Sequence, residues 1–263
     1  MSKMKYVNIV VMLTIMTMGI SSALTAYAQN VTSNEGNLDI SASTIYEQKN
    51  AILGSNTKNF VILIPNEAHE SMKIEDQLPL ANQPYIPQSI TATSGTSITW
   101  LNGDVDHDHT IKFKTPNPQN IESTDTFASS EYITVNFNQT GQYSYFEDNV
   151  NQEDEEFVME GTINIVANED LPSTTTSTND SNSSQGLNTV GVLMVPSKDS
   201  QSISSTLEDN GLQILSDYTF TDLRGGQKDT GPTQTILVWG TDNSDIQQVL
   251  EPVIEVSNNL PYS

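Results

Sequence analysis

The chain has 263 residues, 35% of them apolar and none of them cysteine, with a formal charge of −23 and a pI near 4.1. That length allows one large domain or two modest ones. The charge repels phosphate backbones and argues against a nucleic-acid partner. The absence of cysteine removes disulfides and any thiolate for a soft metal.

Residues 1–28 read as an export signal. Lys3 and Lys5 give a positive start, Ile9 to Ile20 is mostly apolar, and Ala26-Tyr27-Ala28 has the small-x-small form of a cleavage site. An uncleaved anchor is the alternative, although the run is short for a span and contains Thr14 and Thr17. The expected location is secreted, extracellular or at the cell surface, with no membrane contact beyond the signal. Asn-x-Ser/Thr sequons begin at Asn30, Asn138, Asn179 and Asn182.

Residues 29–54 form a polar lead-in in which Ala42 to Leu53 is a candidate short helix. Residues 55–168 read as all-β. Phe60 to Ile64 is an apolar run closed by Pro65. Ser89 to Thr93, Ser97 to Leu101, Thr110 to Phe113, Tyr132 to Phe137, Tyr143 to Phe146 and Gly161 to Val166 follow as strands, with turn residues such as Gly95 and Gly141 between them. Many short strands at this spacing predict a Greek-key β-sandwich.

Residues 169–187 are rich in Ser, Thr and Asn, hold almost nothing apolar, and read as a linker. In residues 188–263 the pattern changes. Val190 to Val195, Leu212 to Phe220 and Thr233 to Trp239 read as strands, and Ser200 to Asp209 as a helix stopped by Gly211. Ile246, Val249, Leu250 and Val253 share one helical face, with Asp242 or Ser244 as the cap and Pro252 as a bend or an early end. With a last strand near Leu260, the order β-α-β-β-α predicts a small α+β domain of ferredoxin-like type.

The segment Pro87-Gln88-Ser89-Ile90 to Thr99-Trp100-Leu101-Asn102, followed by His109-Thr110-Ile111, resembles the cupredoxin (plastocyanin-like) pattern. Gly141 to Phe146 is similar to that family's strand entering the ligand loop, and Gly161-Thr162-Ile163 to the strand leaving it. The likeness covers residues 60–167. It implies a cupredoxin-like Greek-key sandwich, which with the small α+β domain read from residues 188–263 makes the expected fold mainly β. It also implies a metal site in which His109 is the first histidine ligand and Met159 the axial one. The cysteine position falls at Glu147, and no histidine follows residue 109. A carboxylate in place of a thiolate favours Cu(II), Zn or Ca over a cycling blue centre.

His107 alternates with His109, so an extended chain points both to one side. His69 is a further candidate from the loop after the first strand. The metal set is thus His109, His107 and Glu147, with Met159 and His69 behind them. Against it, His107 and His109 are equally compatible with solvated side chains or pairs with Asp106 and Asp108, and Met159 with a core position. Glu153 to Glu156 reads as a solvated charge run or a weak calcium site. Arg224, the chain's one arginine, lies in a Gly loop and reads as a hairpin or an anion contact.

No nucleophile motif is present, and no enzyme is expected. The expected function is a secreted cupredoxin-like protein binding copper or another divalent metal at a non-blue His/carboxylate site. The alternatives are a metal-free interaction module, with residues 188–263 meeting a protein partner, and electron transfer as in the family's copper-bound members.

Overall fold

A computed structural model describes residues 40–66, 68, 83–105, 107–147, 159–168, 171, 186–221 and 233–260. The signal segment, His69, Asp106, the acidic run Glu153 to Glu156, Arg224 and most of the 169–187 linker lie outside these residues.

The strands form where β-branched and aromatic residues alternate or cluster. In chain order the elements are helix α1 (Ala42–Gln48), then β1 (Asn50–Ile52), β2 (Asn59–Ile64), β3 (Ser89–Thr93), β4 (Thr96–Asn102), β5 (Lys112–Phe113), β6 (Tyr132–Phe137), β7 (Gly141–Phe146) and β8 (Glu160–Val166). These are followed by β9 (Thr189–Pro196), α2 (Ser200–Asp209), β10 (Gln213–Thr221), β11 (Thr233–Thr241) and α3 (Ile246–Asn258).

The strands make two mixed sheets, ordered β1-β3-β8-β7-β5 and β10-β11-β9-β2-β4-β6. They face each other across aromatic rings. Trp100 of β4 meets Tyr145 of β7 edge-on at 5.2 Å, and Phe137 of β6 meets Tyr143 of β7 at 4.8 Å. Every residue of β2 is buried. Its unbroken apolar run suits a central strand covered on both faces, and it pairs in parallel with β4 on one side and β9 on the other.

Several expectations change. The helix expected over Ala42 to Leu53 ends at Gln48, where Lys49 takes a left-handed φ of 56°. Residues 50–52 instead form β1, which pairs in parallel with β3. Ile40, Ala42, Ile45, Ala51 and Leu53 are all buried, so this part of the polar lead-in belongs to the core. Second, the strand expected over Thr110 to Phe113 is regular only at Lys112 and Phe113, and isolated bridges tie His109 to Phe127 and Lys112 to Ser123.

Third, the expected ferredoxin-like domain is not confirmed. Its β-α-β-β-α order is present, and β10, β11 and β9 pair in antiparallel fashion. No strand follows α3 among the described residues. The neighbouring place beside β9 is held by β2, running parallel. Buried Asn59 reinforces that seam by donating its side-chain amide to Thr189 Oγ1 at 3.1 Å and to the Ser244 carbonyl at 3.0 Å. The cap of α3 is Asp245, which accepts from the N–H groups of Gln247 and Gln248, and not Asp242 or Ser244. Pro252 sits inside the helix without ending it.

Among the described residues no helix is long and apolar enough to cross a membrane.

Candidate functional site

The site is built at one end of the facing sheets. On β7, Tyr143 and Tyr145 point inward, and the period of two carries Glu147 to the same side just past the strand. Its backbone N–H donates to the Met159 carbonyl at 3.2 Å. Opposite, β4 ends at Asn102 and the chain turns sharply through Gly103. The Gly103 N–H donates to the Ile64 carbonyl at 2.8 Å, and a Cβ here would meet that same oxygen at 2.9 Å. The turn delivers Asp104 into the interior, where its N–H donates to Asn102 Oδ1 at 2.8 Å. The Asn102 side-chain amide donates to the His107 carbonyl at 2.8 Å and fixes the way back out.

His109 is held by a two-way backbone bridge with Phe127, each N–H donating to the other's carbonyl at 3.0 Å. Its ring is 2% exposed and lies between two buried carboxylates. Nδ1 is 2.5 Å from Glu147 Oε2, whose other oxygen accepts from the Thr110 N–H at 3.2 Å. Nε2 is 3.5 Å from Asp104 Oδ2 and makes no hydrogen bond there. His107 stands at the rim with 46% of its side chain exposed, and its Nδ1 is 3.4 Å from Asp104 Oδ1. The groups therefore form a chain of alternating imidazoles and carboxylates, His107, Asp104, His109 and Glu147, with His107 at the rim.

Burial works against a charge on His109. The negative charges of Asp104 and Glu147, with the Glu147 hydrogen bond, outweigh it and raise the imidazole pKa from 6.5 to about 9. Beyond Glu147 lies an aromatic floor. Tyr85 meets Tyr145 edge-on at 4.9 Å. Burial, then Tyr145 and Glu147, push the Tyr85 hydroxyl well above its usual range. Tyr145 lies flat against Gly161, its register partner on β8, where a Cβ would collide with the ring.

The structure thus joins His109 to Glu147 and brings His107 to the rim of the same cluster. Met159 is fully buried in the core and gives the site its backbone carbonyl. His69 and residues 148–158 lie outside the described residues. Asp104 was missed by sequence reasoning. The signal for it was its place directly after the buried strand end at Asn102 and the Gly103 turn, since an aspartate carried inward there needs a partner.

Chemically the cluster can hold a proton or a metal cation. Its donors are imidazole nitrogen and carboxylate oxygen, which suit Cu(II) or Zn(II) and provide no thiolate. Among the described residues, no group of three or more His, Asp or Glu side chains is already set out to hold a metal ion.

No family model and no curated protein matches the chain. Among solved structures it is similar to a purple cupredoxin from Nitrosopumilus maritimus, at 18% identity over 40% of this chain and 98% of that one, with a TM-score of 0.31. It is also similar to plastocyanin from Dryopteris crassirhizoma (15% identity, 40% and 99% covered, TM-score 0.30) and to amicyanin from Paracoccus versutus (17%, 51% and 96%, 0.28). Likenesses at these scores carry no argument about this chain's chemistry. The chain's own strand pairing, mainly β in two mixed sheets, is consistent with a cupredoxin-like sandwich.

Proposed function

We propose that this is a secreted cupredoxin-like protein that binds copper or another divalent metal at a non-blue His/carboxylate site around His109, sequestering or presenting the ion. The observation that supports it is the burial of one imidazole with carboxylates facing both ring nitrogens. Two anions around a neutral nitrogen donor favour a cation, and their oxygens are hard enough to disfavour Cu(I). With no thiolate, electron transfer through a blue centre is the weakest reading. No enzymatic step is assigned.

A second reading has its own support. Glu147 already closes on Nδ1 at 2.5 Å, so a protonated His109 can satisfy the pocket without a metal. The sandwich is then a metal-free extracellular interaction module, with residues 188–263 contributing the contact with a protein partner. Calorimetric titration of chelator-treated protein with Cu(II) and Zn(II) separates the two. Tight binding that disappears in His109→Ala supports the metal reading. Its absence in the wild-type protein leaves the interaction module.

A further inference from the structure

The two sides of His109 differ in a way that decides which nitrogen a metal can use. Ligand atoms each about 2.1 Å from one ion at a tetrahedral angle stand about 3.4 Å apart. Nδ1 and Glu147 Oε2, at 2.5 Å, are too close to share an ion and are spaced to share a proton. Nε2 and Asp104 Oδ2, at 3.5 Å, have the separation of two ligands on one ion. Nε2 is also fully buried and makes no hydrogen bond. His107 Nδ1 approaches the same carboxylate from the rim at 3.4 Å, on a side chain exposed enough to turn.

We propose, resting on the metal-binding reading above, that the ion is held by His109 Nε2 and Asp104, with His107 closing from the rim, and that Glu147 is a positioning residue and not a ligand. The resemblance in sequence places Glu147 where the family has its thiolate ligand. The geometry moves it one shell outward. There it accepts the Nδ1 proton, fixes the ring, and leaves Nε2 as the donor. A carboxylate hydrogen-bonded to the far nitrogen of a ligating imidazole makes that imidazole a better donor and orients it. A metal at Nε2 takes the place of the proton there, which passes to solvent. Asn102 and Gly103 supply the rigid turn that aims Asp104, so this ligand sits just past the end of a buried strand.

The test is long-range 1H–15N NMR of the histidine rings in chelator-treated protein titrated with Zn(II), together with Zn(II) affinities of three variants. The expected result is a metal-type shift at His109 Nε2 while Nδ1 keeps its proton and its bond to Glu147. Glu147→Gln should weaken Zn(II) binding about 10–100-fold with Nε2 still the bound nitrogen. Asp104→Asn should weaken it more, and His107→Gln should weaken it measurably. Zn(II) on Nδ1, with Glu147→Gln abolishing binding and Asp104→Asn neutral, overturns this assignment and leaves the metal reading standing. No binding by the wild-type protein overturns both.

Discussion

Replacing Glu147 by glutamine in the metal-free protein keeps the shape of the side chain and removes one of two charges holding a buried imidazolium. Glutamine has one acceptor oxygen, so either His109 Nδ1–H or the Thr110 N–H must face an amide NH2. The shift of His109 from 6.5 to about 9 corresponds to about 3 kcal/mol of preference for the charged ring in the folded state. Glu147 and Asp104 supply that preference together, so removing the Glu147 charge removes part of it. Because the folded pKa is raised, this stabilisation is fully present below pH 6.5 and is lost as pH rises through about 9. Urea unfolding in the presence of chelator, from about pH 6 to about pH 9.5, should show the wild-type protein losing about 3 kcal/mol across that window. Measurements stop there because the buried tyrosine hydroxyls, pushed up by burial, begin to matter near pH 10. Glu147→Gln should start lower than the wild type at about pH 6 and lose less on the way up. A wild-type curve that is flat from pH 6 to 9.5, or a variant curve parallel to it, refutes the reasoning.

Gly161→Ala should cost about 1–3 kcal/mol in denaturant unfolding, since the new methyl meets Tyr145 Cε2 at 2.6 Å and the ring is boxed in by Trp100 and Tyr85. In a Tyr145→Leu background the same change should cost almost nothing, and an additive double-mutant cycle contradicts the packing account. Asp245→Ala removes the cap of α3 and should lower stability by about 1 kcal/mol in a thermal melt. His107→Ala should leave the metal-free protein within about 0.5 kcal/mol of wild type, because its pair with Asp104 sits at the rim; a larger loss places it in the structural core of the site. A chain cut at a protease site inserted between residues 173 and 185 should still elute as one species. Two separate species would mean that the β2–β9 seam does not hold.

Most strands were legible because their residues alternate or cluster at strand length, as in Tyr132 to Phe137 and Gly161 to Val166. What escaped was too short or too distant to leave a periodic trace. β1 has three residues, below any useful window, and the strand expected over Thr110 to Phe113 is regular over only its last two. The pairing of β2 with β9 joins residues 130 positions apart and has no local signature. At α3, Asp242, Ser244 and Asp245 are all acceptable caps by type, and only the backbone geometry selects Asp245. In the site, His109 and Glu147 were found through the order of motifs. Asp104 was hidden among Asp106 and Asp108, where a buried carboxylate looks like any other acidic loop residue.

The parallel seam between β2 and β9 also has a consequence for how the chain is made. A polypeptide that emerges from its N-terminus completes Phe60 to Ile64 long before Thr189 to Val195 exists to cover that edge. Until then the most apolar strand of the protein presents unpaired backbone and invites pairing with another copy. A message truncated before codon 189 therefore yields an aggregating product and not a smaller working sandwich. The last third of the chain acts as the latch on the first.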